Sequence, residues 1–394
     1  MAAPIAGHLL ADHGAEVIKV ESRRRMDASR RGRPVITGDA ATGDRGAAPD
    51  LIPLFHNLNR GKLSLTLDLT RPEGIAIARD LVRISDVVLE NFTPHVMPSL
   101  GLDYNILRPL KPDLVYASLS AAGQTGPLRD IAAYAPSVTS LAGMESLVGY
   151  PGEPPIGMLG LNFSDPTAGL HGYIAILMAL WHRNRTGQGQ YIDLSQIEVV
   201  ATLLGEPLAA YFQTGEVAAP QGNASQRMAP HGIYPAQGTD CWISIAVVDD
   251  REWAALAEYI GQPWTADPQF ATLEGRLANS EQLDQLLGEW TRQFEAYPLM
   301  EALQSLGVAA APVLSIEEQF ADPQYLARQV YTFLQHPSVG EEPVYGLPWR
   351  LGDTPGQVSR PAPNLGEHNE YVLGELLGYS TAVIRSLEAS GVLS

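Results

Sequence analysis

One cysteine, Cys241, stands in 394 residues. A lone thiol builds no internal disulfide framework and no cysteine metal cluster, and it fits a reducing, cytoplasmic setting. Basic residues are also scarce: 26 Lys and Arg against 44 Asp and Glu give a formal charge of −18. General nucleic-acid binding needs a basic face, so that class is excluded. No apolar run approaches a membrane span, and Tyr173 to Trp181 is far too short, so no membrane partner is expected. A basic start followed by an apolar core is missing, so no secretory signal is read. The sequons at Asn91, Asn162 and Asn223 then read as chance. There is no G-x-x-x-x-G-K-[ST] loop and no G-x-G-x-x-G after a strand, which leaves ATP and NAD sites unsupported. There is no H-E-x-x-H among nine scattered His, so no metal site is expected. Without G-x-S-x-G, a hydrolase triad is unsupported.

What remains is an ordinary globular composition, 45% apolar and 18% charged, long enough for two or three domains. Ile5, Leu9 and Leu10 have helical spacing, Gly14 stops the helix, and Glu16 to Glu21 reads as a strand. That is the second half of a β-α-β unit; no first strand precedes it, so the expectation is that the chain starts late or that another segment fills that slot. Arg23, Arg24, Arg25, Arg30, Arg31 and Arg33 form a basic island, which as a charge run defaults to a solvated loop and in a sharper reading contacts phosphate. Residues 34 to 53 read as a polar loop. Leu65, Leu67 and Leu69 mark a strand, and Thr70 caps a helix running to about Ile84. Residues 87–92 and 114–119 are further strands. Strands alternating with helices predict an α/β fold with a parallel sheet. Helices follow at 136–148, 169–181 and 196–213, then a loop from Pro220 to Gln237. Cys241 to Val247 is an alternating strand, 250–260 and 280–294 are helices, and 308–314 is extended, which together read as a smaller α/β unit. Pieces at 330–331 and 347–350 are extended, and two helices near 368–377 and 381–388 close the chain.

The run from Gly160 to Ser195 organises the rest. Asp165 stands among Ser164, Pro166, Thr167 and Gly169 ahead of an apolar helix signal. A basic last turn, His182 to Arg185, suits the negative end of that helix. Thr186-Gly187-Gln188-Gly189-Gln190 is a turn and Tyr191 to Leu194 a short strand. A helix start favours negative charge, so Asp165 serves there as a cap, the commoner role, or as a nucleophile.

Several pieces together resemble the class III CoA-transferases, the formyl-CoA transferase and carnitine CoA-transferase group. They are Leu10 to Glu21 (LADHGAEVIKVE), Asn59 to Ser64 (NRGKLS), Leu67-Asp68-Leu69, Glu90-Asn91-Phe92, Gly101 to Tyr104 (GLDY), Thr186 to Gln190 (TGQGQ), Arg360 to Pro363 (RPAP) and Leu365 to His368 (LGEH). They span nearly the whole chain in the family's order. The resemblance implies that Asp165 is the nucleophile. It would attack the thioester of an acyl-CoA to give an aspartyl anhydride and then an aspartyl-CoA thioester, which a carboxylate acceptor resolves. By position, Ala2, Leu67, Asn91, Phe92, Thr93 and Tyr134 fall where the family binds CoA. Three basic family contacts fall on Ser22, Ser99 and Ala132, so Arg23 and its island are the expected replacements. The glycine-rich lid of formyl-CoA transferase has no match between Pro220 and Thr239, which counts against an oxalate-type substrate. Succinyl-CoA or another dicarboxyl-CoA is the expected donor, CoA enters as substrate, and no cofactor is permanently bound. The resemblance also implies a large Rossmann-like domain (1–205 and 325–394), a small domain (220–318), linkers at 206–219 and 319–324, a substrate between the domains, and an interlocked dimer, of identical or related subunits.

The rival of the same fold is an α-methylacyl-CoA racemase, which needs a His as general base. Its His position falls on Tyr134, and no His lies between His95 and His171. A non-catalytic subunit is the third reading, prompted by the open first-strand slot. Glu90 as a solvated strand-end acid or one that orients Asn91 or contacts substrate, His231 in a loop with no role or facing the site, Trp242 and Trp253 as small-domain core, and Gly187 and Gly189 as turn residues complete the expectations.

Overall fold

The computed structural model describes residues 1–31, 49–158 and 163–394. Packing divides them into two units: Met1–Glu145, Met158–Val217 and Gln324–Ser394 in the first, Ser146–Gly157 and Ala218–Pro323 in the second. Arg33, Asn162 and most of the expected 34–53 loop lie outside the described residues.

The first unit opens with α1 (Ala2–Asp12) and β1 (Ile18–Glu21), then α2 (Pro53–Asn59), β2 (Leu63–Thr66), α3 (Pro72–Ile84), β3 (Val87–Glu90), β4 (Val115–Ser120) and β5 (Tyr191–Ser195). β1 pairs in parallel with β2, Ile18 opposite Leu63. β3, β4 and β5 form a second parallel sheet with β4 central. All six residues of β4 (VYASLS) are buried, as expected of a strand covered on both faces. Ala117 and Leu119 face Ala2, Ala168 and Ile176, whereas Tyr116 faces Ala78 and Val82 of α3. Pro72 stands in the first turn of α3, Glu73 favours its start and Arg83 its end. Thr70 does not cap this helix; Arg71 holds the cap position without a side-chain bond, because the Thr70 hydroxyl donates to Asp68 Oδ1 at 2.6 Å.

The helix between β4 and β5 runs Ser164–Thr186, five residues earlier than the apolar signal begins. The expected 196–213 helix is two, Gln196–Ala201 and Gly205–Thr214. After the second unit the chain adds a hairpin of β9 (Tyr331–His336) and β10 (Gly340–Tyr345). Val392 and Leu393 close the core over Leu65 and Leu67.

The second unit holds an antiparallel sheet, β6 (His231–Pro235), β7 (Trp242–Ala246) and β8 (Ala309–Pro312). Helices Asp250–Ile260, Ser280–Thr291 and Ala296–Ser305 cover it. Ile243 and Ile245 point into a core with Trp253, Leu256 and Leu287. His231 therefore lies on a strand, not in a loop, and its Nδ1 meets the Asn223 carbonyl. Trp242 alternates to the outer face and is 38% exposed, so only Trp253 of the two belongs to the core. Among the described residues no helix is long and apolar enough to cross a membrane.

The TGQGQ turn is shaped by its two glycines. Gly187 ends the long helix at φ 72°, with its N–H on the Arg183 carbonyl. Gly189 lies against the residues that lead into β4, where an added Cβ would sit 2.0 Å from the Leu114 carbonyl oxygen. Gly189→Ala should therefore destabilise the chain by about 3 kcal/mol through forced separation of β4 and β5. A urea midpoint equal to wild type would refute this.

Candidate active site

Asp165 lies inside the first turn of the long helix, whose cap position is Phe163, so it is not the cap. Its side chain is turned to another helix: Asp165 Oδ1 accepts the Ala2 N–H at 3.0 Å, with the Met1 nitrogen 2.8 Å from the same oxygen. The residue is 6% exposed. This approach depends on missing side chains. A Cβ on Gly169 would lie 2.7 Å from Ile5 and 2.9 Å from the Ala2 carbonyl, and one on Gly172 would lie 2.7 Å from Leu119. Ser164 Oγ is buried beside the acid and meets no partner among the described residues.

The positions aligned with CoA contacts do not share one environment. Ala2 adjoins the acid. Asn91 and Phe92 are exposed just beyond β3, whose Leu89 packs with the Ala2 and Ala168 cluster, and Thr93 is half-buried. Tyr134, at the start of helix Ala135–Leu141, is 84% exposed. Leu67, by contrast, is a core residue packed with Leu65 and Ile77. Arg23 is exposed and donates to the Leu365 carbonyl at 3.1 Å.

The basic island divides the same way. Arg30 is not a solvated or phosphate-facing residue: it is 2% exposed and bidentate to Glu21 at 2.8 and 2.9 Å. It also binds Asp50 and the Pro363 carbonyl and lies 3.4 Å over the Phe55 ring. Arg24 pairs with Asp68 at 3.1 Å and keeps most of its side chain in solvent. Glu90 is not a solvated strand end either. It is 7% exposed, accepts the Phe92 N–H at 2.7 Å, and burial pushes its carboxyl up against the pull of the Ser118 and Phe92 bonds.

Two other clusters were not legible in advance. A polar cleft lined by Asp12, Glu16, Gly61 and Arg360 opens at the far end of α1. At 1.5 Å per residue that is roughly 15 Å from Ala2, so it is separate from Asp165. His56, His336 and Glu342 bring ligand-type atoms within 4.8 Å of one another. The imidazoles stack with centroids 4.1 Å and planes 19° apart, so their in-plane lone pairs run side by side and do not converge on one ion. His336 Nδ1 accepts the Ser338 N–H, which leaves the ring proton of the neutral form on Nε2. With His56 Nδ1 at 2.5 Å from Glu342, the cluster fastens the β9–β10 hairpin to α2.

The Asn59-Arg60-Gly61-Lys62 motif is buried against α1. Arg60 pairs with Asp12 at 2.8 Å, and His8 lies beside Arg60 and Lys62. Burial, reinforced by those two cations, pushes the His8 imidazole down to about 2.

The chain belongs to CoA-transferase family III, whose sequence model matches residues 1–369. Its activity is accordingly CoA transfer from an acyl-CoA to a carboxylate, with CoA thioesters as substrates. A succinyl-CoA–D-citramalate CoA-transferase of Chloroflexus aurantiacus is 35% identical over 396 residues, covering 100% of this chain and 95% of that protein. A succinate–glutarate CoA-transferase of Agrobacterium fabrum is 36% identical over 377 residues, covering 95% and 92%. The crystal structure of a CAIB/BAIF family protein from Brucella suis superposes with a TM-score of 0.85 at 34% identity, covering 95% and 96%.

An unfolded His binds a proton near pH 6.5, whereas native His8 stays neutral far below that. His8 thus leaves stability at its full value above about pH 6.5 and erodes it as pH falls, by about 1.4 kcal/mol per pH unit. Urea unfolding at a series of pH values should show a shallower acid limb for His8→Met than for wild type. Identical limbs would mean that His8 protonates in the native state.

Proposed function

We propose that Asp165 is the nucleophile of a ping-pong CoA transfer from succinyl-CoA to a second small dicarboxylate. The observation that carries this is a buried carboxylate in the first turn of a helix, held by the backbone of a second helix instead of capping its own. A carboxylate is a weak nucleophile in water; fixed and stripped of much of its hydration it becomes competent. One Asp165 oxygen attacks the thioester carbon, and collapse of the tetrahedral adduct expels CoA thiolate and leaves a mixed anhydride. The thiolate then attacks the aspartyl carbonyl and expels succinate, leaving an aspartyl-CoA thioester. An acceptor carboxylate attacks that carbonyl and expels the thiolate, which takes the acyl group from the new anhydride and frees Asp165. No step needs a proton donor, and one thioester replaces another, so no external energy source is required. Exclusion of water protects the anhydride. The dicarboxylate substrates in the names of both relatives support this class of donor and acceptor.

The CoA moiety would be met by Ala2, Asn91, Phe92, Thr93 and Tyr134, with Arg23 and exposed neighbours of its island facing phosphate and Leu67 contributing through its backbone. Two copies of the chain would form the working enzyme. Ile174, Leu177, Met178 and Trp181 form an exposed apolar stripe at i, i+3, i+4 and i+7 on the long helix, and Leu208, Tyr211 and Phe212 are exposed on the helix Gly205–Thr214. Such surfaces call for a partner. Sedimentation should return twice the 42.5 kDa chain mass, and a monomer at working concentration would exclude the dimer.

Asp165→Ala should lower transfer by at least about 1,000-fold without loss of the folded state. Hydroxylamine with donor acyl-CoA should convert Asp165 to a hydroxamate, read by peptide mass. Glutarate, malate and citramalate should each be offered with succinyl-CoA and the CoA esters weighed. Normal turnover by the Ala variant would sink the mechanism, and α-proton exchange in deuterated water without transfer would establish the racemase instead.

A further inference from the structure

Lys62 is a buried cation that the transfer chemistry does not use. It is 3% exposed, and its Nζ donates to three neutral acceptors: the Pro4 carbonyl at 2.7 Å, the Leu58 carbonyl at 2.9 Å and Asn59 Oδ1 at 2.8 Å. An ammonium group has three protons, so this set uses all of them. Asn59 is itself oriented, its Nδ2 donating to the Phe55 carbonyl at 3.0 Å. Two acceptors belong to the last turn of α2 and the third to the first turn of α1. That first turn of α1 lacks a side-chain cap and an acidic residue, yet it supplies the Ala2 N–H that binds Asp165. Gly7 leaves room for the lysine stem: a Cβ there would sit 3.1 Å from Lys62 Cε.

We infer that Lys62 is a positioning residue for Asp165, tying the first turn of α1 to α2 so that the Ala2 N–H stays on the nucleophile. This rests on the reading of Asp165 as nucleophile given above. The ammonium makes no contact with substrate in this role. Burial pulls its pKa well down by disfavouring the cation, and the three acceptors at 2.7, 2.8 and 2.9 Å are what hold the ammonium form in place.

The test compares full-length wild type with Lys62→Met, which keeps the stem and removes the ammonium, and with Gly7→Ala, which keeps the ammonium and presses on the stem. Each is assayed for kcat and KM with succinyl-CoA, for the rate of covalent labelling of Asp165 under hydroxylamine, and for folding by circular dichroism. Lys62→Met should lose tenfold or more in kcat and in labelling rate while KM stays within twofold of wild type. Gly7→Ala should lose less, in the same two quantities. A folded Lys62→Met with wild-type kcat overturns the inference, as does a loss that resides in KM. Should Lys62→Met fail to fold, Gly7→Ala decides, and an unaltered labelling rate there overturns it. Wild-type turnover without any label at Asp165 overturns the nucleophile reading itself, whereas labelling in wild type and Lys62→Met at equal rates removes only the role of Lys62.

Discussion

The first unit is built around the contact of two helices at the places where side chains are absent. α1 meets the long helix through Ala2, Ala6, Ala168 and Gly169, all of them buried, while Gly172 lets the same helix close on Leu119 of β4. Close approach brings the backbone N–H of one helix within bonding distance of an acid on the other. Larger residues at these positions would hold the axes apart, and the acid would lose its donor. The same closeness removes water from Asp165, so one packing decision supplies both orientation and desolvation. The face of the long helix turned to the sheet is set by Ile176 and Ala179, and β4 beneath it is buried along its whole length. The acid therefore stands on a scaffold that has few alternative packings.

Around that contact the chain buries charges in pairs. Arg30 with Glu21 and Asp50, and Arg60 with Asp12, each satisfy a guanidinium with carboxylates and carbonyls. Glu21 also accepts the Ser64 hydroxyl, which stitches β1 to β2 through side chains as well as backbone. Replacing one member of such a pair leaves an unpaired buried charge, which typically costs about 3–5 kcal/mol. The polar motifs at 59–64 and 360–368 make sense in these terms. They are the acceptors and donors that keep α1, β2 and the C-terminal segment in register: Ser64 N–H bonds His368, and Thr66 N–H bonds Asn369. Residues that in the sequence have the look of a binding surface are here the fastening of the fold.

Much of this was legible in the residue pattern, and the exceptions have physical causes. Strand and helix alternation gave the parallel sheet, and the helix Asp250–Ile260 was placed to the residue, because apolar periodicity there reports the buried face directly. The start of the long helix was not legible. Its first turn, Ser-Asp-Pro-Thr-Ala-Gly, packs through small residues, and a pattern of apolar side chains cannot register packing that depends on having none. α2 was hidden for a related reason: its buried side chains include His56 and Asn59 as well as Phe55 and Leu58. Arg30 read as surface because its partners lie 9, 20 and 333 residues away. Asp165 itself was legible only through its company. An acid near a helix start is common, and its turn toward Ala2 instead of its own helix is a tertiary fact.

The proposed Asp165 mechanism makes little demand on conventional catalytic machinery. A reaction that exchanges one thioester for another through a carboxylate has no net proton to move, so a histidine base adds nothing. Among the described residues the buried imidazoles are instead used as neutral or paired structural groups: His8 under α1, and His56 and His336 under the hairpin. What such a reaction does require is a carboxylate that cannot rotate away and a surrounding that admits a thiolate while refusing water. Rigidity of that kind is expensive to obtain from loops and cheap to obtain from two helices locked by glycine and alanine, with their ends tied by buried donors. On the proposed mechanism the chemistry and the packing ask for the same residues, and the small side chains beside Asp165 suit both.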